Sequence, residues 1–281
     1  MRVGVLPDAH GNDIILKSWD KLKTAKVDEI VCLGDYVDSH KEENTWNTKQ
    51  KKLLNEILKR KEESKIPVKL LLGNHDFSYI TKYGADSNVS GHQFYVAADI
   101  QEFFDKHFDS FQMIEIVDNW IFSHAGVTQN WLDTPLGNYY ERDVIEGKDV
   151  FWKLEDVNKA FKAKQLKYFN HNSFDPYGDD ESEGCLWIRC PSLIRFGIEG
   201  YNQCVGHTSL TEDSMNYWGL EDRVVDAKDW YDKKKFYKYQ YEAENEPKNL
   251  DCKYAFIDSP ENNFYAIIDT VTNEVEITSV S

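Results

Sequence analysis

Short apolar runs alternate along the chain with longer segments whose apolar residues recur at helical spacing. The first run covers residues 2–6, and residues 12–25 then carry apolar side chains on one helical face. Further apolar runs at residues 29–33 and 68–72 flank the charged, amphipathic stretch 43–64. Strands that alternate with helices in this way predict βαβ units and a largely parallel sheet.

The second half of the chain has a more mixed pattern. Residues 96–109 and 154–169 have helical spacing, and Asp118-Asn119 lies between two short apolar runs, which predicts a β-hairpin. The chain closes with three runs that predict antiparallel strands, at residues 254–257, 264–268 and 274–279. We see no internal repeats and predict a single α/β domain over residues 1–281.

The stretch 212–253 interrupts this pattern, because it is aromatic and charged without a clear period. We interpret it as a lid or insertion within the domain. Its aromatic residues either pack on the core, which is usual for large aromatic side chains and is the interpretation we favour, or stack on a base or an aromatic side chain of a substrate. They are Trp218, Trp230, Tyr231, Phe236, Tyr237, Tyr239 and Tyr241.

Composition narrows the class of protein. No stretch approaches the roughly 20 apolar residues of a membrane-spanning helix. The first predicted strand begins at once, so we expect no signal peptide and a cytoplasmic protein. The five cysteines form no CxxC pair, which predicts reduced, buried thiols. The net charge of −16 disfavours long nucleic acids as partners, whereas small phosphorylated substrates stay compatible if bound cations reverse the potential locally.

Polar residues cluster after the predicted strands. Each cluster alone has an ordinary interpretation as a turn, a helix cap or solvated carboxylates. Together they form an ordered set of carboxylate, imidazole and amide groups, which suits Mn²⁺, Fe or Zn²⁺ better than Ca²⁺. Because ligands bind at the carboxyl ends of strands in open α/β sheets, we expect the clusters to converge. They are Asp8-x-His10, Gly34-Asp35-x-x-Asp38, Gly73-Asn74-His75-Asp76, Ser123-His124-Ala125-Gly126 and Gly206-His207-Thr208.

This ordered set resembles the calcineurin-like metallophosphoesterases over about residues 1–209. It is most similar to the branch that contains Ser/Thr protein phosphatases and bis(nucleosyl) tetraphosphatases, whose first motif resembles Asp8 to Asn12. Other branches have a further histidine at the position of Ser209, and its absence here also fits this branch. The resemblance implies a four-layer α/β/β/α sandwich of two mixed β-sheets flanked by helices, with a dinuclear metal site at the strand ends. It also implies two divalent metal ions, for which we predict Mn²⁺, with Fe or Zn²⁺ as alternatives.

The resemblance also assigns roles to single residues. It implies that His75 is the general acid for the leaving oxygen and that Asp38 orients it. It implies that Asp35 bridges the two metal ions. The other ligands that it implies are Asp8 and His10 for the first metal, and Asn74, His124 and His207 for the second.

The phosphate-binding groups depart from the family pattern. The family often has an arginine at the position of Ser39, so His40 or another group must replace that clamp. A second phosphate-binding arginine of that branch resembles Arg189, with Arg195 as the competing candidate. We favour Arg189, because the apolar run before it can place it at a strand end and a planar guanidinium suits bidentate contact with phosphate.

The residues and the resemblance together predict a metal-dependent phosphatase that hydrolyses phosphomonoesters by attack of a metal-bridging hydroxide. The substrate would be a phosphoprotein, a nucleotide or a small phosphorylated metabolite. Two alternatives stay open, a dinucleoside polyphosphate pyrophosphohydrolase and a non-catalytic binding scaffold. The presence of His75 beside a full ligand set counts against the scaffold, since a scaffold needs no proton donor.

Overall fold

The structure is a computed structural model, and it describes residues 1–39, 41, 43–80, 89–133, 153–171, 179–233, 249–259, 261 and 263–280. The strands in these residues are β1 (Arg2–Leu6), β2 (Glu29–Cys32), β3 (Val68–Leu71), β4 (Phe111–Gln112), β5 (Ile114–Val117), β6 (Trp120–Ser123), β7 (Asn202–Val205), β8 (Val224–Asp226), β9 (Lys253–Phe256), β10 (Phe264–Asp269) and β11 (Glu274–Ser279). The α-helices are α1 (Ile14–Ala25), α2 (Lys51–Glu63), α3 (Asn74–Ile80), α4 (Ala97–Lys106), α5 (Gln129–Asp133), α6 (Leu154–Lys162), α7 (Cys190–Phe196), α8 (Glu212–Trp218) and α9 (Ala227–Lys233).

The strands form two mixed sheets. The first has the order β11-β10-β1-β2-β3-β4, in which β1 to β4 run parallel and β10 and β11 are antiparallel to their neighbours. The second has the order β5-β6-β7-β9-β8, in which β6, β7 and β9 run parallel and the two edge strands are antiparallel to them. The carboxyl ends of the parallel strands determine where the polar clusters lie.

The two sheets face each other, and helices cover their outer faces. Alternate residues of both sheets meet in one buried cluster, in which Val3 of β1 joins Phe122 of β6. Helices α1, α2 and α4 pack on the other face of the first sheet, and α7, α8 and α9 pack on the second. The buried side of α1 shows why it packs there, since its apolar residues recur at helical spacing at Ile15, Trp19 and Leu22. This α/β arrangement of two mixed sheets flanked by helices confirms the predicted fold class.

Several predicted helices are shorter in the structure. The predicted helix 154–169 ends at Lys162, because Lys164 adopts a left-handed backbone (φ 57°), and a 3₁₀ turn follows at Leu166–Phe169. Helix α2 is preceded by a π-helical turn, Trp46–Gln50, in place of regular helix from residue 43. Periodicity marks the apolar face of a helix but not its ends.

The three C-terminal runs form strands, as predicted, but they do not form one antiparallel set. β10 and β11 form the expected antiparallel hairpin. In contrast, β9 lies in the second sheet, parallel to β7 and antiparallel to β8. The sequence between two consecutive strands does not show whether those strands belong to the same sheet.

The stretch predicted as a lid or insertion contributes to the second sheet through β8 and to its helical layer through α8 and α9. Trp230 is buried and donates a hydrogen bond from its indole nitrogen to the Trp218 carbonyl at 3.2 Å. Trp218 and Tyr231 pack against the same cluster, so these three aromatic side chains follow the core-packing interpretation. The remaining four lie outside the described residues, namely Phe236, Tyr237, Tyr239 and Tyr241.

Two further expectations concern the chain as a whole. The five cysteines are buried free thiols, as predicted. Across the described ranges, no helix combines the length and the apolar character that crossing a membrane requires.

Candidate active site

The polar clusters converge where strands of the two facing sheets end. Asp8 follows β1, Asp35 follows β2 and Asn74 follows β3, and these strands are parallel neighbours. His124 follows β6 and His207 follows β7, which are parallel neighbours in the second sheet. All five residues are buried. The two sheets thus bring distant parts of the chain to one point.

Backbone carbonyls determine which nitrogen is protonated in three histidine rings of this site. A carbonyl oxygen can only accept, so the ring nitrogen that faces it carries the proton. The other nitrogen of each ring then presents a lone pair to the site, as in histidines that bind metals. The three pairs are His10 Nδ1 with Asp38 O at 2.9 Å, His124 Nδ1 with Leu33 O at 3.0 Å, and His207 Nε2 with Trp187 O at 3.1 Å.

Four lone-pair atoms meet at His124 Nε2. Asn74 Oδ1 lies 2.9 Å from it, His207 Nδ1 3.2 Å and Asp35 Oδ2 3.4 Å. In these tautomers neither His124 Nε2 nor His207 Nδ1 carries a proton, so the lone pairs of the four atoms repel one another. A divalent cation would turn all four atoms into ligands, and oxygen with imidazole nitrogen suits Mn²⁺, Fe or Zn²⁺. The residues therefore fit a metal ion.

Asp35 also belongs to a neighbouring group of ligand atoms. Its Oδ2 atom lies 3.6 Å from His10 Nε2, and a ring nitrogen of His75 completes this group. Asp35 forms a second group with Asp8 and His124, and within each group the ligand atoms all lie within 4.8 Å of one another. Asp8 Oδ1 is buried and has no hydrogen-bond partner in the described part of the chain. One carboxylate, that of Asp35, therefore connects two candidate cation positions.

The charge states of these residues suit cation binding. Burial lowers the pKa of His124 to about 4, and it lowers the pKa of His207 well below its usual value, so both rings are neutral. Burial raises the pKa of Asp8. Burial also acts to raise the pKa of Asp35, but the neighbouring histidines outweigh it and lower that pKa overall. A bound cation would favour the ionised form of Asp8 and so oppose the effect of burial on its pKa.

Several site residues have a left-handed backbone, which is uncommon outside glycine. Conformations of this kind cost about 1–3 kcal/mol each and cluster at functional sites, where the surrounding structure holds them in place. They allow the chain to turn sharply at the strand ends. The residues concerned are His10 (φ 43°), Asp35 (φ 48°), Asp38 (φ 56°) and His207 (φ 54°).

Two glycines allow the carboxylates to approach the backbone closely. A Cβ atom at Gly73 would collide with the Asp35 carboxylate, and one at Gly206 would collide with the Asp8 carboxylate. Asp76 stabilises the turn at Gly73, because its Oδ2 atom accepts a hydrogen bond from the Gly73 N–H at 3.0 Å. Any side chain at either glycine would therefore displace a candidate ligand.

His75 adjoins the cluster but directs one ring nitrogen away from it. Its Nδ1 atom lies 3.1 Å from Asp38 Oδ2, and its backbone N–H donates to Asp35 Oδ1 at 2.9 Å. Burial acts to lower the pKa of His75, but the carboxylates of Asp35 and Asp38 outweigh it and raise that pKa. The ring is thus held as a potential proton donor, and one of its nitrogens lies within 4.8 Å of the ligand atoms of His10 and Asp35.

Arg189 adjoins the cluster, although the expectation that it follows a strand is wrong. Residues 185–188 contain a turn, and Arg189 is the residue immediately before α7. Its Nη1 atom donates to the His207 carbonyl at 2.8 Å, which brings the guanidinium next to a candidate ligand. Arg195 lies in the last turn of α7, against the aromatic ring of the next residue. His40 lies outside the described residues.

A comparison with known families identifies this arrangement. The model of the calcineurin-like phosphoesterases matches residues 1–209, which include every candidate ligand. The chain belongs to the calcineurin-like phosphoesterases. It is therefore a hydrolase of phosphoric esters, and its buried groups of carboxylate, imidazole and amide atoms are the candidate ligands for the metal ions on which this family typically depends.

Several solved structures are similar to this phosphoesterase, and the first named here shares its fold. A cold-active protein tyrosine phosphatase is 16% identical, with a TM-score of 0.53 over 98% of this chain and 78% of the other. A protein serine/threonine phosphatase from Saccharomyces cerevisiae is 12% identical, with a TM-score of 0.49 over 100% and 80%. A metallophosphoesterase from Sphaerobacter thermophilus is 12% identical, with a TM-score of 0.44 over 100% and 89%. None of the curated proteins compared with the sequence matches it.

The site of this phosphoesterase includes residues that the sequence did not reveal. Tyr79 and Gln93 both donate hydrogen bonds to Asp38 Oδ1, at 2.5 Å and 3.1 Å. Tyr79 follows His75 by one helical turn on α3, so helical spacing could have suggested it. Gln93 lies in no recognisable pattern.

The phosphoesterase also buries a carboxylate outside its sequence motifs. Asp258 follows β9, and the register that pairs Val205 with Phe256 places it beside His207. Burial raises the pKa of Asp258 to about 7, and Oδ1 has no hydrogen-bond partner in the ranges that the structure describes. The sequence shows a polar residue after a strand here, but it does not show that this strand is the parallel neighbour of β7.

Proposed function

We propose that the protein is a metal-dependent phosphatase that hydrolyses phosphomonoesters of a phosphoprotein, a nucleotide or a small metabolite. The observation that supports this most strongly is the group of lone-pair atoms around His124 Nε2, next to the His75–Asp38 pair. The first feature suits a cation, and the second suits a leaving group that needs a proton. A binding scaffold would have no use for the second.

Two sets of side chains would hold the divalent cations, which we propose to be Mn²⁺. Asp35 would contact both ions. When bound, the cations supply an activated water and stabilise charge on phosphorus. The carboxylates of Asp8 and Asp35 cancel only part of the charge of two divalent cations, so the centre would attract phosphate in a protein of net charge −16. The other proposed ligands are Asp8 and His10 for one ion, and Asn74, His124 and His207 for the other.

The other roles in the reaction fall to side chains beside this centre. Arg189 would bind the phosphate oxygens that do not react, because a guanidinium offers two parallel N–H groups to them. His75 would donate its Nε2 proton to the leaving oxygen. Asp38 accepts from Nδ1 in the structure and would stabilise the protonated ring. His40, next to the position where the family often has an arginine, is the alternative phosphate clamp.

A panel of three substrates tests this function. The chelated protein, with and without added Mn²⁺, is assayed with p-nitrophenyl phosphate, bis-p-nitrophenyl phosphate and diadenosine tetraphosphate. We expect Mn²⁺-dependent turnover that is fastest with the monoester. Preferred cleavage of the tetraphosphate would favour the pyrophosphohydrolase, and no turnover of any substrate would favour the scaffold. The control is Asp35→Asn, which should lose turnover of all three substrates because it removes the bridging carboxylate.

A further inference from the structure

The carboxylate of Asp38 is held from two sides. Its Oδ2 atom faces His75 Nδ1 at 3.1 Å. Its Oδ1 atom accepts from the Tyr79 hydroxyl at 2.5 Å and from Gln93 Nε2 at 3.1 Å. Asp38 is only 1% exposed, so water cannot replace these donors freely. Oδ2 of Asp38 thus faces the histidine, and Oδ1 accepts hydrogen bonds from two neutral donors.

Gln93 is itself fixed by three further hydrogen bonds. Its Oε1 atom accepts from the Trp46 N–H at 2.8 Å, and its Nε2 atom also donates to Gln50 Oε1 at 2.8 Å. Its backbone N–H donates to the Tyr79 hydroxyl oxygen at 2.7 Å. Burial and then the charge of Asp38 raise the pKa of Tyr79, so that hydroxyl keeps its proton and can donate to Asp38. The donor and acceptor roles in this network are therefore determined.

Gln50 extends the same network to the turn that follows the first polar cluster. It is fully buried, and a Cβ atom at Gly11 would collide with its side chain. It ends the π-helical turn Trp46–Gln50, whose first residue supplies the N–H that Gln93 accepts. Turns of this type occur frequently at functional sites. The π-helical turn thus presents both of its ends to Gln93.

We propose that Gln93 is a positioning residue for proton donation, which acts by fixing the Asp38 carboxylate so that Oδ2 faces His75. The proposal rests on the proposed function, in which His75 protonates the leaving oxygen. The terminal torsion of an aspartate is broad and roughly two-fold, so nothing within Asp38 itself prevents its carboxylate from turning. Two donors on Oδ1 remove that freedom, namely the Gln93 side-chain amide and the Tyr79 hydroxyl, which the backbone N–H of Gln93 orients.

The kinetic test compares Gln93→Leu with Gln112→Leu. Gln112 is also half-buried and also donates two side-chain hydrogen bonds, to Ile114 and Glu115, which lie outside the site. An alkyl phosphate needs a protonated leaving oxygen, whereas p-nitrophenolate leaves with little help. We expect Gln93→Leu to lower kcat about tenfold on the alkyl phosphate and less than about threefold on p-nitrophenyl phosphate, since part of a general-acid effect is lost.

In these assays KM and the Mn²⁺ content should stay at wild-type values, and Gln112→Leu should behave as wild type. A double variant, Tyr79→Phe with Gln93→Leu, should approach the loss seen for His75→Asn on the alkyl phosphate. Equal losses on both substrates, or none on the alkyl phosphate, would overturn the positioning role.

A second readout does not depend on activity. The Nδ1 proton of His75 gives a downfield NMR signal when Asp38 accepts it, and His75→Asn identifies that signal by its absence. In the metal-free protein we expect the signal to broaden or disappear in Gln93→Leu and to persist in Gln112→Leu. A sharp signal in Gln93→Leu would contradict the proposal even if the wild-type protein hydrolyses phosphomonoesters. If the wild type hydrolyses none, the proposed function fails, and this signal still decides whether Gln93 positions Asp38.

Discussion

At the scale of single residues, the candidate site is defined by which atom each side chain presents. His10, His124 and His207 each donate a hydrogen bond from one ring N–H to a backbone carbonyl, so the other ring nitrogen presents a lone pair. His75 differs, because its Nδ1 atom faces a carboxylate instead. The same side chain thus serves as a candidate ligand or as a candidate acid according to its partner. This difference supports separate predictions for the two kinds of histidine.

The first prediction concerns His75→Asn. The variant should bind metal as the wild type does, because Nδ1 of His75 is directed to Asp38 and the ring is not a proposed ligand. We expect kcat to fall by about 10²–10⁴ on an alkyl phosphate, the usual size of a general-acid effect. The loss should be smaller on p-nitrophenyl phosphate. Steady-state kinetics with both substrates and elemental analysis check this, and equal losses would argue against the acid role.

The second prediction distinguishes the two arginines. Arg189→Ala should lower kcat/KM by about ten- to a hundredfold, because charge-assisted hydrogen bonds contribute roughly 1.5–3 kcal/mol. Arg189→Lys should lose less, since it keeps the charge but not the fork. Inhibition by phosphate or vanadate should weaken in parallel. Arg195→Ala is the matched control, and normal kinetics in Arg189→Ala together with a defect in Arg195→Ala would reverse the assignment.

The convergence of the candidate ligands can be predicted from the sequence, but the hydrogen bonds that position the side chains cannot. Asp8, Asp35 and Asn74 directly follow apolar runs, and a parallel sheet brings such positions together. In contrast, Gln93 is separated from Gln50 by 43 residues and follows no strand, so only the folded chain shows their contact. Arg189 contacts His207 but follows a turn rather than a strand, because an apolar run of four residues does not distinguish the two.

At the scale of elements, the decisive features are the sharp turns after the parallel strands. The chain must leave β7 so that the backbone passes directly over the Asp8 carboxylate, and only a glycine fits there. Strand order adds information that local pattern lacks. β9 and β10 are consecutive in sequence yet lie in different sheets, which is how Asp258 comes to lie beside His207. Pairing between distant strands cannot be deduced from alternation within each of them.

The third prediction tests one of these turns with Gly206→Ala. The added methyl group would push the Asp8 carboxylate away, and overpacking of this kind costs about 1–3 kcal/mol. We expect Mn²⁺ affinity and kcat/KM to fall by about five- to a hundredfold, because about 1.4 kcal/mol corresponds to one decade. The control is Gly200→Ala, at the other end of β7, where a Cβ atom meets nothing although the backbone has φ +78°. Comparable Mn²⁺ affinity in the two variants would contradict the role given to Gly206.

At the scale of the whole molecule, the site joins two sheets in a strongly acidic protein. The first sheet delivers Asp8, Asp35 and Asn74, and the second delivers His124 and His207. Without a cation these buried groups repel one another across the interface between the sheets. The net charge of −16 adds a general repulsion toward phosphate, which only a local positive charge can overcome. Metal binding should therefore affect stability as well as activity.

The last prediction is that Mn²⁺ stabilises the folded chain and does so through both sheets. A ligand that binds only the folded state adds about 2.7 kcal/mol at a concentration of 100 times its Kd. For a chain of this size that corresponds to a rise in Tm of about 5 °C or more. Elemental analysis should find two ions per chain.

His207→Ala removes a ligand of the second sheet and should reduce both the Tm shift and the metal content, whereas the control Gln112→Leu should reduce neither. An unchanged Tm in Mn²⁺, or full activity of the chelated protein, would contradict a metal-dependent site. An equal shift in His207→Ala would show instead that the stabilising ion does not bind between the sheets.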